Sequence, residues 1–189
     1  MIEKQALQVA GIEKSSKNPE PHGAVTGKSA PLDSGAQTEG RLIMDKKIVL
    51  TGIARSKGKA AGEAMVFSHR FGWAFNHVGN EDGKIMTAGW DNHGETVEGK
   101  VVVYPTVTGS TSGAISLYYK VKESHHGPVA IICREVFPFD ISGAIAAEIP
   151  AVDNLDQDPI TTIKNGVMVE IDAPAVGKKA TVTITRKGA

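Results

Sequence analysis

The chain of 189 residues has one cysteine, no surplus of either charge and no aromatic residue before position 67. Each absence excludes something. Cys133 alone closes no internal disulfide, and one thiolate is too few for an iron–sulfur cluster, so any such metal must come from another chain. The 21 Lys and Arg are matched by 21 Asp and Glu. No excess cation is left to replace phosphate counterions, and the chain lacks the footprint of a nucleic-acid or anionic-membrane binder. No apolar run approaches the ~18 residues of a membrane span, and the N-terminus lacks a signal-peptide core, so the expected location is cytoplasmic.

What is present is concentrated. Hydrophobic residues make up 41% of the chain, in the range of a globular protein. All of the Phe, Trp and Tyr residues fall between Phe67 and Phe139. Residues 1–45 carry Pro19, Pro21 and Pro31 among many Gly, Ser and Lys, too little apolar surface to offset chain entropy. This predicts a flexible tail over 1–45 and a domain over 46–189. Within the tail, Ile2 to Ile12 has the spacing of a short amphipathic helix, and Met44 stands where the ordered domain should begin.

From Lys46 the pattern is β. Ile48 to Leu50 and Ala64 to Phe67 read as two adjacent strands around a Gly- and Lys-rich turn at Ser56 to Gly62. Gly72 to Gly99 has little periodicity and reads as a long structured loop of the kind that carries function. Val101 to Val103, Val129 to Cys133 and Ala151-Val152 are short apolar runs expected to be buried strands. Between them, Ala114 to Val121 and Ile141 to Glu148 have helical spacing. The resulting βαβαβ run implies parallel pairing. A helical turn near Pro159 to Lys164 precedes two alternating segments around Val169 and Val182, which read as a closing hairpin. The expected fold is α/β: a β/β/α plan with a mixed sheet or barrel-like core and two main helices.

Gly109-Ser110-Thr111-Ser112-Gly113 stands between the first buried strand and the first helix. Glycines let the backbone approach a ligand, and the positive end of a helix favours a carboxylate, phosphate or alkoxide. The same residues also suit plain N-capping, for which Ser and Thr are preferred. The segment is neither a nucleotide P-loop nor a G-x-S-x-G elbow. His125 and His126 fall in the solvated end of the helix. His69, His77 and His93 lack the paired spacing of a zinc site and read as polar contacts. Of these, His93 is the candidate with a functional reading as well, because Asp91-Asn92-His93-Gly94 leads toward the strand before the Gly-Ser segment. No metal ligand is assigned in this chain.

Taken in order, these motifs form a larger pattern: Asp91 to Gly94, Gly99-Lys100-Val101, Pro105, Gly109 to Gly113, Ala130-Ile131-Ile132, Glu135, Gly143-Ala144-Ile145 and Ile149-Pro150-Ala151-Val152. From about Met44 to Gly188 the chain resembles the swivel domain, or small subunit, of the aconitase X family. The resemblance implies a swivelling β/β/α domain and a hydro-lyase active only as a heterodimer. In such an enzyme the large subunit holds the iron–sulfur cluster and most substrate ligands, while the small one closes over it and supplies a serine. It assigns Ser110, with Ser112 as fallback, as the base that removes the proton α to a carboxylate. The cluster iron would act as Lewis acid on the departing hydroxyl. Gly109, Thr111, Ser112 and Gly113 would line the anion site, and Arg134 is expected to reach either the substrate or a partner-facing ion pair with Glu135 or the large subunit. The substrate would be a small hydroxy acid such as cis-3-hydroxy-L-proline or mevalonate 5-phosphate. This chain departs from the family pattern at His77 to Gly83.

Two other classes share parts of the pattern. Thr111-Ser112 and Ile149 to Val152 are similar to segments of phosphohistidine carrier domains, but Gly113 stands where the histidine would be needed. A non-catalytic swivelling interaction module is the third reading.

Overall fold

The computed structural model describes residues 46–186. The expected tail at 1–45, its short helix and the start at Met44 lie outside the described residues. The elements are β1 (Lys46–Ser56), β2 (Gly58–Val66), β3 (Val101–Tyr104), α1 (Ser112–Lys122), β4 (Ala130–Cys133), α2 (Pro138–Ala147), β5 (Ala151–Asp153), α3 (Pro159–Thr162), β6 (Met168–Ala173) and β7 (Lys179–Arg186). The strands close into one barrel in the order β1-β5-β4-β3-β2-β6-β7. Strands β2 to β5 run parallel to their neighbours in that order, with α1 and α2 as the crossovers. Strands β6 and β7 form the expected antiparallel hairpin and close the barrel against β2 and β1.

The apolar runs are explained by burial on two sides. In β3, Val101 and Val103 join one core cluster and Val102 and Tyr104 the other; in β4, Ala130 and Ile132 alternate in the same way with Ile131 and Cys133. The first cluster fills the barrel with Leu50, Val152, Val169, Val182 and Ile184. The second lies outside it, where α1, α2 and the long loop cover the sheet through Leu117, Ala144, Phe71 and Trp73. A strand covered on both faces needs no polar alternation. The loop between β2 and β3 is a folded cover, held by single bridges at Phe71↔Val107, Val78↔Ile85 and Lys84↔Thr96. This is why the aromatics crowd into the middle of the sequence.

One pairing differs from the sequence reading. β1 and β2 do not pair, and strand structure runs through most of the Ser56 to Gly62 stretch expected as a turn. β1 is flanked by β5 and β7, and β2 by β3 and β6. Only Lys57 separates them, and the chain crosses the barrel end there. Ser56 pairs with Ala151, and a Cβ on Gly58 (φ 147°) would lie 3.1 Å from Pro150 Cδ. Both strand ends therefore converge on the start of β5, where only glycine fits the backbone turn.

Helix α2 begins at Pro138 and ends on Glu148, whose left-handed φ of 57° closes the helix before Pro150. It packs closely on α1: a Cβ on Gly143 would stand 3.0 Å from the Ala114 Cα. Among the described residues no helix is long and apolar enough to cross a membrane.

Candidate active site at the carboxyl ends of the parallel strands

Parallel register brings the last residues of β2, β3, β4 and β5 to one end of the barrel, with Val66 opposite Val103, Tyr104 opposite Cys133 and Ile132 opposite Val152. Loops leaving such an edge are where α/β folds hold ligands. The loop after β3 is pinned to the long loop by Phe71 N–H donating to Thr106 O (3.0 Å) and Thr108 N–H to Phe71 O (2.7 Å). It then turns through Gly109 at φ 114°, where an added Cβ would meet nothing within 4 Å. Open space around a left-handed glycine means the turn is shaped by backbone need rather than by crowding.

The Ser and Thr hydroxyls of this turn do not cap the helix. Thr111 occupies the N-cap position with φ −56° and ψ −22°, and no side chain accepts from a first-turn amide. The amides of Gly113 and Ala114 are taken by the carbonyls of Ser110 (2.9 Å) and Thr111 (3.1 Å). These two N–H groups are therefore engaged, and what the helix start offers a ligand is its dipole and its hydroxyls. Ser110 Oγ and Ser112 Oγ lie 3.1 Å apart. Gly109, Ser110, Thr111 and Ser112 are exposed and Gly113 is half-buried, so the pair opens outward.

The other expected residues reach the same end by different routes. Asp91 accepts from Ser68 N–H (2.6 Å) and Ser68 Oγ (2.7 Å), and these bonds hold its carboxyl below the usual aspartate range. Asn92 donates to Val66 O (2.9 Å). Together they tie the His93 turn to the end of β2. His93 itself is exposed, between the left-handed Asn92 and Gly94. No hydrogen bond joins it to either serine. Arg134 is exposed, and its guanidinium is bidentate to Asp158 through Nε and Nη2, both at 2.8 Å. The expected ion pair with Glu135 is not formed, because Asp158 presents both oxygens to the planar fork. Glu135 is exposed.

The sequence reading missed two buried groups here. Lys120 is fully buried, and its ammonium donates to Trp73 O (3.1 Å), Asn80 Oδ1 (2.7 Å) and Ser116 Oγ (2.6 Å). Burial pushes it down to about 8. The helix accordingly buries Ser116, Leu117 and Lys120, while Ile115 and Tyr118 stay exposed. Four-residue spacing of Ser112, Ser116 and Lys120 was the available signal. Asp140, in the first turn of α2, is 3% exposed, and burial pushes it up to about 7 against a hydrogen bond with the Tyr104 hydroxyl. Its Oδ2 has no partner. The Trp73 indole N–H donates to the same Tyr104 oxygen (3.3 Å). Gly113 rests on this layer, since its Cβ would come 3.7 Å from the Trp73 Cβ.

His69 and His77 have structural duties. His69 Nε2 accepts from Asp91 N–H (3.2 Å). His77 shares a hydrogen bond with Thr87 Oγ1 (2.9 Å) and stacks on Trp90 at 4.7 Å, and burial holds its ring below the ordinary histidine value. Among the described residues no three His, Cys, Asp or Glu side chains are grouped to hold a metal.

A closed mixed seven-stranded barrel with two crossover helices, and an uncapped Gly-Ser turn where the parallel strands end, defines an α/β barrel domain. The profile of the aconitase X swivel domain matches residues 49–184. The phosphomevalonate dehydratase small subunit of Methanococcoides burtonii is 36% identical over 121 residues, covering 62% of this chain and 85% of that protein. The protein of that name from Thermococcus kodakarensis is 34% identical over 116 residues, 61% of this chain and 84% of its own. The crystal structure of Thermococcus kodakaraensis aconitase X in its holo-form superimposes with a TM-score of 0.64 at 33% identity, over 72% of this chain and 98% of that one. The chain belongs to the aconitase X swivel-domain family.

Proposed function

We propose that this chain is the small subunit of a hydro-lyase and that Ser110 is the base for dehydration of a hydroxy carboxylate held by a large partner subunit. The supporting observation is the exposed Ser110–Ser112 pair at the start of α1, free of any capping duty. Dehydration passes a proton from the carbon α to the carboxylate to the Ser110 oxygen, the C–H electron pair forms the double bond, and the hydroxyl on the next carbon departs with its bonding pair and takes up a proton from solvent to become water. The Ser110 oxygen is a poor base until its alkoxide is favoured. Ser112, 3.1 Å away, donates to it, and the positive end of α1 lowers the cost of the negative charge.

A cluster does not fit this chain's own residues. Cys133 is buried, and burial together with the Asp140 charge pushes its thiol well up; a metal would require the thiolate. On this reading the iron–sulfur cluster would belong to the large subunit. The names of the relatives favour mevalonate 5-phosphate over cis-3-hydroxy-L-proline as substrate.

The test is a complex reconstituted with the large subunit and supplied with each compound in turn. Ser110→Ala should cut turnover by at least ~100-fold while the subunits still co-elute, because an exposed hydroxyl contributes little to packing. Near-normal turnover in Ser110→Ala with loss in Ser112→Ala would transfer the role to Ser112. Retained activity in both would end the proposal.

A further inference from the structure

Lys120 has a property that its structural duties do not require. All three N–H bonds of its ammonium are used, yet every acceptor is neutral: a carbonyl, an amide oxygen and a hydroxyl. No described carboxylate pairs with it. The acidic groups closest to it along these elements turn to tyrosine hydroxyls, and Asp82 of the long loop pairs with Lys84. Glu81, next to Asn80 on the long loop, receives the Tyr119 hydroxyl, Glu123 at the end of α1 receives that of Tyr118, and Asp140 of α2 faces Tyr104. Desolvation alone shifts the ionisation of Lys120, with no charged neighbour contributing. A buried cation without a counter-ion is costly, and a methionine would fill the same space without that cost.

The position of the charge indicates what it serves. Side chains on a helix lean toward its N-terminus, and the Lys120 Nζ reaches Ser116 Oγ at 2.6 Å. The ammonium therefore lies at the level of Ser116, one turn behind Ser112, or about 6 Å along the helix axis. The same ammonium holds Trp73 O, and Gly113 packs on Trp73. The nearest open end of this helix is the Gly-Ser turn.

We propose that Lys120 is a positioning residue for the site at Ser110: its ammonium fixes the Trp73–Asn80 stretch under α1 and lends the helix start a buried positive charge whose counter-ion is the bound substrate anion. This rests on the reading of Ser110 as the base. An anion bound outside the Gly-Ser turn, on the order of 12 Å from the ammonium at an effective dielectric constant of about 20, favours the charged lysine by a factor on the order of ten. By linkage the lysine favours the anion equally.

The experiment uses the reconstituted complex with isotope-labelled lysine in this chain only. The Lys120 ammonium is titrated by NMR with and without saturating mevalonate 5-phosphate, and kcat/KM is followed from pH 6 to 10. Its titration midpoint should rise by about one pH unit on binding, the same tenfold factor. Lys120→Met should lose about tenfold in kcat/KM near pH 7 and lose the alkaline fall near pH 8, whereas Lys120→Arg should keep activity beyond it. An unmoved midpoint, or a well-folded Lys120→Met complex with the wild-type pH profile, overturns the inference. If Lys120→Met does not assemble, the wild-type titration decides alone. Full turnover in Ser110→Ala would refute the base assignment without touching the titration result, so the two failures are distinct.

Discussion

Asp140→Asn removes a charge from the first turn of α2 while keeping the shape of the side chain, and its effect on stability should depend on pH in a defined direction. Asp140 is buried, and its carboxyl is pushed from the ordinary 3.8 up to about 7. Between those two values the folded chain keeps a proton that the unfolded chain has released, so stability falls as pH rises toward 7, and the full penalty persists above it. At ~1.4 kcal/mol per pKa unit, the interval corresponds to at most about 4 kcal/mol. The asparagine amide inherits the place of Oδ2, which has no hydrogen-bond partner, and an orphaned N–H donor there offsets roughly 1–3 kcal/mol. The variant should therefore match the wild type near pH 5 and exceed it by about 2 kcal/mol at pH 8. Urea denaturation of the full chain at half-unit intervals from pH 5 to 9 measures this directly. Lys120 titrates in both proteins and cancels from the difference. A difference curve that is flat across that range would refute the account of a buried, largely neutral acid.

Two further perturbations test the packing that carries the site. Gly143→Val drives two methyl groups into the Ala114 backbone, whose Cα is only 3.0 Å from the place a Cβ at position 143 would take, and should cost about 2–3 kcal/mol in urea denaturation; a change below ~0.5 kcal/mol would show that α1 yields freely. Asp153→Ala leaves Arg55 Nε and the Val136 amide without the carboxylate they bind at 2.7 and 3.2 Å. Since Asp153 is 1% exposed, thermal denaturation should show a loss of about 3 kcal/mol, and a neutral result would mean both donors find water.

The parts of the fold that sequence revealed are those in which local pattern and tertiary demand agree. Val101 to Tyr104 and Ala130 to Cys133 are apolar throughout because both faces are covered, and α2 stops before Pro150 as expected, although it starts at Pro138, three residues ahead of the expected Ile141. The pairing of β1 with β2 was misread because neighbouring strands joined by glycines usually form a hairpin. Nothing local records that β5 and β7 occupy the edges of β1. The Gly-Ser turn was legible through residue type and place. Burial of Lys120 was not, since it depends on Trp73 and Asn80, 47 and 40 positions away. Arg134 likewise finds Asp158 across 24 positions, a match of fork and carboxylate that spacing does not encode.

The barrel is closed and has no terminal strand for another chain to extend, although β1 before Ile53 and β2 before Ala64 outrun their short neighbours β5 and β3. A partner that grips side chains and loop tips leaves every existing strand pairing in place. Two proteins joined that way can part and re-engage, as one of them admits or releases a small molecule, without undoing a single backbone rung of this barrel.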